Sequence, residues 1–172
     1  MIHPPKNFKA RPTTDFAKES LFNILNNNFD YSEIKALDLF SGTGSISYEL
    51  ASRGSLDIVS VELNYNHYAF IKKTAAELDF LQIKTIRADV FKFLKTCNRT
   101  FNLIFADPPY DLKNIEIIPD IIFEKKLLEN DGWLIIEHGS RTDFSTHDQF
   151  KEQRDYGSVN FSIFDYSKNS KN

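Results

Sequence analysis

Asp107-Pro108-Pro109-Tyr110 closes the apolar run Phe101 to Ala106 and gathers three groups able to act on one ligand. Each proline fixes φ at about −65° and removes a backbone donor, so the loop is stiff and its carbonyls are left to accept hydrogen bonds. An acidic acceptor, a rigid carbonyl and an aromatic face therefore converge. That set suits a planar base carrying an exocyclic amino group: the oxygens take its N–H bonds and Tyr110 stacks on its ring. The competing explanation is structural, with Asp107 capping the next segment and Tyr110 packed on the core.

A second constellation lies upstream. Asp38-Leu39-Phe40-Ser41-Gly42-Thr43-Gly44-Ser45 follows a strand pattern and opens a helix pattern. Glycines at 42 and 44 allow a tight turn and close backbone approach, where the helix offers free N–H groups and partial positive charge. Alone, such a loop is a weak signal. Glu62 strengthens it, because an acid at the end of the second strand can accept from both hydroxyls of a ribose. Asp89, past the third strand, is placed to accept from an adenine amino group or to cap a helix. Leu63 and Val90 flank these acids. The pair of features implies a nucleoside-bearing cofactor. NAD is one possibility, but its pyrophosphate favours a third glycine where this chain has Ser47, and a methionine moiety fits the loop at least as well.

The elements that must position these residues follow from hydrophobic periodicity. Apolar strands alternate with helical patterns from Lys35 to Glu137, which predicts βαβ units and a parallel sheet covered on both faces. The strands are expected at 35–40, 57–62, 83–87, 101–106 and 132–137, the last opened by an Asp131-Gly132 turn. Helices are expected at 45–52, at 65–78 and from Val90 to Leu94, with Pro119 in the first turn of another. Period-two alternation in 150–156 and 158–166 around Gly157 predicts a closing hairpin. Thr14-Asp15 is expected to cap a helix reaching the asparagines at 26–28, and the tail from Ser167 to fray.

Composition narrows the classes. The 172 residues, 41% apolar and 26% charged, fit one globular domain. No apolar run approaches ~18 residues and no secretory leader pattern is present, so a cytoplasmic protein without a membrane partner is expected. Cys97 is the only cysteine and reads as a buried bystander. His3, His67, His138 and His147 lack metal-ligand spacing, so no metal is expected. A net charge of −3 argues against a protein basic over its whole surface, though Lys6, Lys9, Arg11 and Lys18 form one local basic cluster.

The Asp-x-Phe-x-Gly-x-Gly loop, the acid at 62 and the Asp-Pro-Pro-Tyr segment together resemble the S-adenosylmethionine-dependent amino-methyltransferases. Arg11-Pro12-Thr13-Thr14-Asp15, followed by Glu19-Ser20-Leu21-Phe22-Asn23, is similar to the bacterial small-subunit ribosomal RNA guanine-N2-methyltransferases of the RsmD type. The likeness extends to about Phe164. It implies an α/β fold of three layers, the Rossmann-like class I methyltransferase fold, with a seven-stranded, mostly parallel sheet in the order 3-2-1-4-5-7-6 and strand 7 antiparallel.

The resemblance also implies site roles. Gly42 and Gly44 would face the methionine part of S-adenosyl-L-methionine, Glu62 the ribose and Asp89 the adenine, with Asp38, Phe40, Ser41, Thr43, Leu63 and Val90 also binding the cofactor. Thr13, within the segment Arg11 to Asp15, would help close that pocket. Asp107, Pro108, Pro109 and Tyr110 would act on the acceptor base, and Lys9, Arg11 and Lys18 would contact RNA. Two neighbouring pockets, one for the cofactor and one for a purine, are expected to meet where strands one and four end. Ribosomal RNA or a small-subunit particle is the expected partner of a monomer. Members of the family begin with a basic β-hairpin ahead of the Arg-Pro-Thr-Thr segment, which is expected to be missing here. Adenine or protein glutamine as acceptor, or a non-catalytic RNA-binding module, are the alternative readings.

Overall fold

The computed structural model describes residues 15–167. Segments of alternating or continuous apolar character become strands β1 (Lys35–Leu39), β2 (Asp57–Glu62), β3 (Ile83–Arg87), β4 (Phe101–Ala106), β5 (Leu128–His138), β6 (Phe150–Tyr156) and β7 (Val159–Phe164). Helices α1 (Asp15–Asn26), α2 (Ser45–Ser52), α3 (Tyr65–Glu77), α4 (Val90–Thr96) and α5 (Ile117–Glu124) surround them. The strands form one seven-stranded sheet in the order β3-β2-β1-β4-β5-β7-β6. β7 runs antiparallel to β5 and β6, and the neighbouring pairs from β3 to β5 are parallel.

Alternation along the central strands sorts the core into two layers, as a period of two requires. Ala36, Ile58, Leu103, Phe105, Ile135 and Phe161 pack on one face with Leu21 and Phe22 of α1, Ile46 and Leu50 of α2, and Ile71 of α3. Leu37, Val59, Ile104, Leu134 and Phe164 take the other face with Val90 and Leu94 of α4 and Ile118 and Ile122 of α5. The segment between β5 and β6 folds back there, placing the Phe144 and His147 rings edge-on to Phe164. Among the described residues no helix is long and apolar enough to cross a membrane.

The sequence expectations hold for β2, β3, β4, α2 and the strand order, with differences that have physical causes. β1 stops at Leu39 because Phe40 takes φ 58° and leaves the ladder. α4 runs to Thr96 and α3 ends at Glu77. Pro119 lies in the first turn of α5, where a missing N–H costs nothing. The hairpin turns at Gly157, φ 66°, with β7 beginning at Val159. α1 begins at Asp15, while Thr14 lies outside the described residues, as does the tail after Ser167. A 3₁₀ turn at Tyr31–Glu33, capped by Asp30, was not anticipated.

The fifth strand is the main correction. Asp131-Gly132 is not a turn that opens it; β5 begins at Leu128 and passes through both residues. The register with β4 jumps from Phe101↔Leu128 to Leu103↔Trp133, so the extra residues of β5 bulge out. Gly132 permits this because a Cβ there would lie 2.8 Å from the Asn102 carbonyl oxygen. Gly132→Ala is therefore expected to cost about 1–3 kcal/mol in denaturant unfolding. An unchanged midpoint would show that the bulge has room to spare.

Candidate active site

β1 neighbours β2 on one side and β4 on the other, so the chain leaves their C-terminal ends in opposite directions and opens a crevice. The loop after β1 forms its floor. Phe40, Gly42 and Gly44 all have positive φ, at 58°, 54° and 81°. For phenylalanine this conformation is strained by roughly 1–2 kcal/mol, and the return is that its ring lines the crevice, edge-on to Phe91.

Glu62 holds the loop in this shape. Its carboxylate accepts from the backbone N–H of Gly42 at 2.9 Å and of Asn64 at 2.7 Å, joining the ends of β1 and β2. His67 Nδ1 stands 3.9 Å from the same group. Gly44 does not line the crevice. It caps α2 without a side chain, and a Cβ there would strike the Tyr48 ring at 2.9 Å.

Because Gly44 provides no cap, the first turn of α2 needs another acceptor. Asp38 supplies one from below. Its buried carboxyl accepts from the Ser47 hydroxyl at 2.6 Å and from the Ser47 backbone N–H. Burial pushes the Asp38 carboxyl up to about 7, against the opposing pull of these hydrogen bonds and with a further push from the Glu62 charge. Such a group changes ionisation near neutral pH.

The crevice encloses about 730 Å³, a volume typical of small-molecule sites. Asp38, Phe40, Ser41, Gly42, Thr43, Glu62, Leu63, Asp89 and Val90 all line it. Asp89 caps α4 by accepting from the Lys92 N–H at 3.0 Å, and it also faces the cavity. Asp107, Pro108, Pro109 and Tyr110 form the opposite wall. The Asp107 N–H donates to Leu39 O at 3.3 Å and the Pro109 carbonyl accepts from Leu112 N at 2.9 Å, so this wall is tied to β1 and closed by its own turn. Asp107 is half-buried and the Tyr110 ring is exposed.

A second cavity of about 250 Å³ adjoins the first across Pro108, Pro109 and Tyr110, and its other side is built from the end of β5. Lys18 lies half-buried on α1 and lines neither cavity. Thr13, Arg11 and Lys9 lie outside the described residues. Sequence reasoning missed Ser47 as the partner of Asp38, and Asn64, His67 and Phe91 as cleft residues. Ser47 had one signal: it occupies the position of the third glycine in the dinucleotide pattern, and on a helix it faces back to the strand. Cys97 is buried, with Sγ 3.8 Å from the Arg99 carbonyl oxygen.

Comparison with known proteins places this geometry in a lineage. Ribosomal RNA small subunit methyltransferase D of Buchnera aphidicola (subsp. Baizongia pistaciae) is 31% identical over 127 residues, 74% of this chain and 64% of that protein. The protein of the same name from Escherichia coli K12 is 29% identical over 133 residues, 77% of this chain and 63% of its own length. The chain thus spans a little under two thirds of these curated relatives. Among solved structures, a hypothetical protein of Thermus thermophilus superposes with a TM-score of 0.83 at 21% identity, covering 96% of this chain and 92% of the other. The fold is that of class I methyltransferases. A family model described as Conserved hypothetical protein 95 matches residues 1–165, and the chain belongs to that family, the RsmD type.

Proposed function

We propose that this protein transfers a methyl group from S-adenosyl-L-methionine to the exocyclic N2 amine of a guanine in small-subunit ribosomal RNA. The observation that carries the reading is the wall from Asp107 to Tyr110: its acid lines the larger cavity, and its two prolines and aromatic ring line both. Family membership and the names of the ribosomal RNA methyltransferase relatives support the substrate class.

The large cleft fits the cofactor by its donor set. Glu62 and Asp89 suit ribose hydroxyls and an adenine amino group, Phe40 and Phe91 offer apolar ring faces, and Asp38 would hold the ammonium of the methionine end. When bound, the cofactor supplies an electrophilic methyl group on a sulfonium.

The guanine amine is a poor nucleophile because its lone pair is delocalised into the ring. Asp107 and the Pro108 carbonyl accept its N–H bonds and favour a pyramidal nitrogen with an available lone pair. Tyr110 stacks on the base after it leaves any paired state. The chain's contribution is positioning and local electrostatics, without a covalent intermediate.

Small-subunit ribosomal RNA from a strain lacking this protein, incubated with it and tritiated cofactor, should carry label in N2-methylguanosine; label in another nucleoside contradicts the assignment. Asp107→Ala should reduce transfer by at least about a hundredfold, while calorimetric binding of S-adenosylhomocysteine persists. Wild-type turnover in that variant would exclude the acid from the reaction.

A further outcome concerns pH. An ionised Asp38 is required to meet an ammonium, yet in the free protein its carboxyl is held up to about 7. Below that pH, binding must expel a proton, so affinity for S-adenosylhomocysteine should rise from about pH 5.5 to about pH 7, by at most about tenfold per unit. Asp38→Asn should flatten the profile. Equal slopes in both proteins would place the titration elsewhere.

A further inference from the structure

The smaller cavity has a feature that the chemistry at Asp107 does not use. Its wall at the end of β5 is fixed by His138, whose Nδ1 lies 2.9 Å from the Gly139 carbonyl oxygen and whose Nε2 lies 2.7 Å from the Ser162 hydroxyl. Burial holds the His138 pKa below its ordinary value, so the ring is neutral at pH 7, donating from Nδ1 and accepting at Nε2. Gly139, pinned this way, faces the Tyr110 ring: a Cβ added there would reach van der Waals distance of it, 3.4 Å. The aromatic ring therefore borders backbone that His138 anchors.

Arg141 stands three residues beyond His138 and, among the described residues, is the only formally charged side chain lining the cavity. Every other arginine among the described residues is engaged. Arg53 pairs with Glu49, Arg99 with Asp57 and Arg154 with Glu152, while Arg87 donates to the Leu63 carbonyl and lies over Tyr65. Arg141 forms no ion pair or hydrogen bond among the described residues, and Asp143 nearby accepts instead from the Ser145 N–H at 2.8 Å. Hydroxyls of Ser140, Thr142 and Ser158 complete a polar, positively charged rim.

A cavity with one unpaired guanidinium and no acid attracts an anion and repels a cationic peptide. Its neighbour, lined by Asp38, Glu62, Asp89 and Asp107, has the opposite polarity. We propose that Arg141 is a positioning residue that grips a phosphate of the acceptor strand while the adjoining base stacks on Tyr110. Resting on the function proposed above, this assigns the second cavity to a phosphate-bearing nucleotide rather than to a protein side chain. Guanidinium geometry, with two parallel N–H donors, fits a phosphate edge and fixes register as well as charge.

The test compares the full chain with Arg141→Gln and Arg141→Lys on small-subunit ribosomal RNA from a strain lacking the protein, with S-adenosylhomocysteine titration as the folding control. Arg141→Gln should raise KM for RNA about tenfold with kcat little changed. Its slope of log KM against log salt should fall by about 0.7–0.9, the value of one released counterion. Arg141→Lys should keep the salt slope at a smaller KM penalty, and cofactor binding should be unaffected in both. Active wild-type protein with no change of KM or salt slope in Arg141→Gln overturns the phosphate contact alone. A loss confined to kcat overturns it too. Wild-type protein that transfers no label to RNA overturns the proposed function and this contact together.

Discussion

Chemistry between two cavities requires the partition between them to hold its place, and here the partition is the short segment Pro108 to Tyr110. Pro108, Pro109 and Tyr110 separate the large cleft from the small one, with Asp107 on the large-cleft side. Pro108 and Pro109 remove the torsional freedom that would let it drift, and the bond from Asp107 N to Leu39 O ties it to β1. Gly139 faces the Tyr110 ring from the far side of the smaller cavity. Positioning of this kind is worth several kcal/mol of barrier in general, and it is lost with displacements of about 1 Å.

Around that wall the charges are sorted by sign. Asp38, Glu62 and Asp89 lie on the side that would receive a sulfonium and an ammonium, and Arg141 lies on the side that would receive a phosphate. A net charge of −3 is thus compatible with nucleic acid binding, because the relevant field is local. The acids carry structure as well. Asp38 satisfies the start of α2, Asp89 caps α4, and Glu62 ties the loop after β1 to the end of β2. The lining of the cleft and the fold thus depend on the same side chains.

Much of this was legible from residue types. Central strands buried on both faces give nearly continuous apolar runs, which is why 57–62 and 101–106 were bounded correctly, and the shorter edge strand at 83–87 was bounded correctly as well. The loop at Asp38 to Gly44 and the Asp-Pro-Pro-Tyr wall were visible because glycine and proline write backbone geometry directly into sequence. The limits were equally physical. The bulge at Gly132 depends on a contact with the Asn102 carbonyl, thirty residues earlier, and no local pattern encodes it. Phe40 ends β1 by a positive φ that its side chain disfavours, so propensity pointed the other way. Arg141 and His138 acquire their surroundings only when β5 and β7 pair, bringing Ser162 to the His138 ring.

The central claim is that one cavity takes the cofactor and the other the acceptor, meeting at the wall that Asp107 begins. A crystal structure with S-adenosylhomocysteine tests it most directly. The account predicts the ligand in the larger cleft, its adenosine toward Asp89 and its sulfur facing the wall at Asp107. Ligand bound in the cavity beside Arg141, or a sulfur turned away from Asp107, would contradict it.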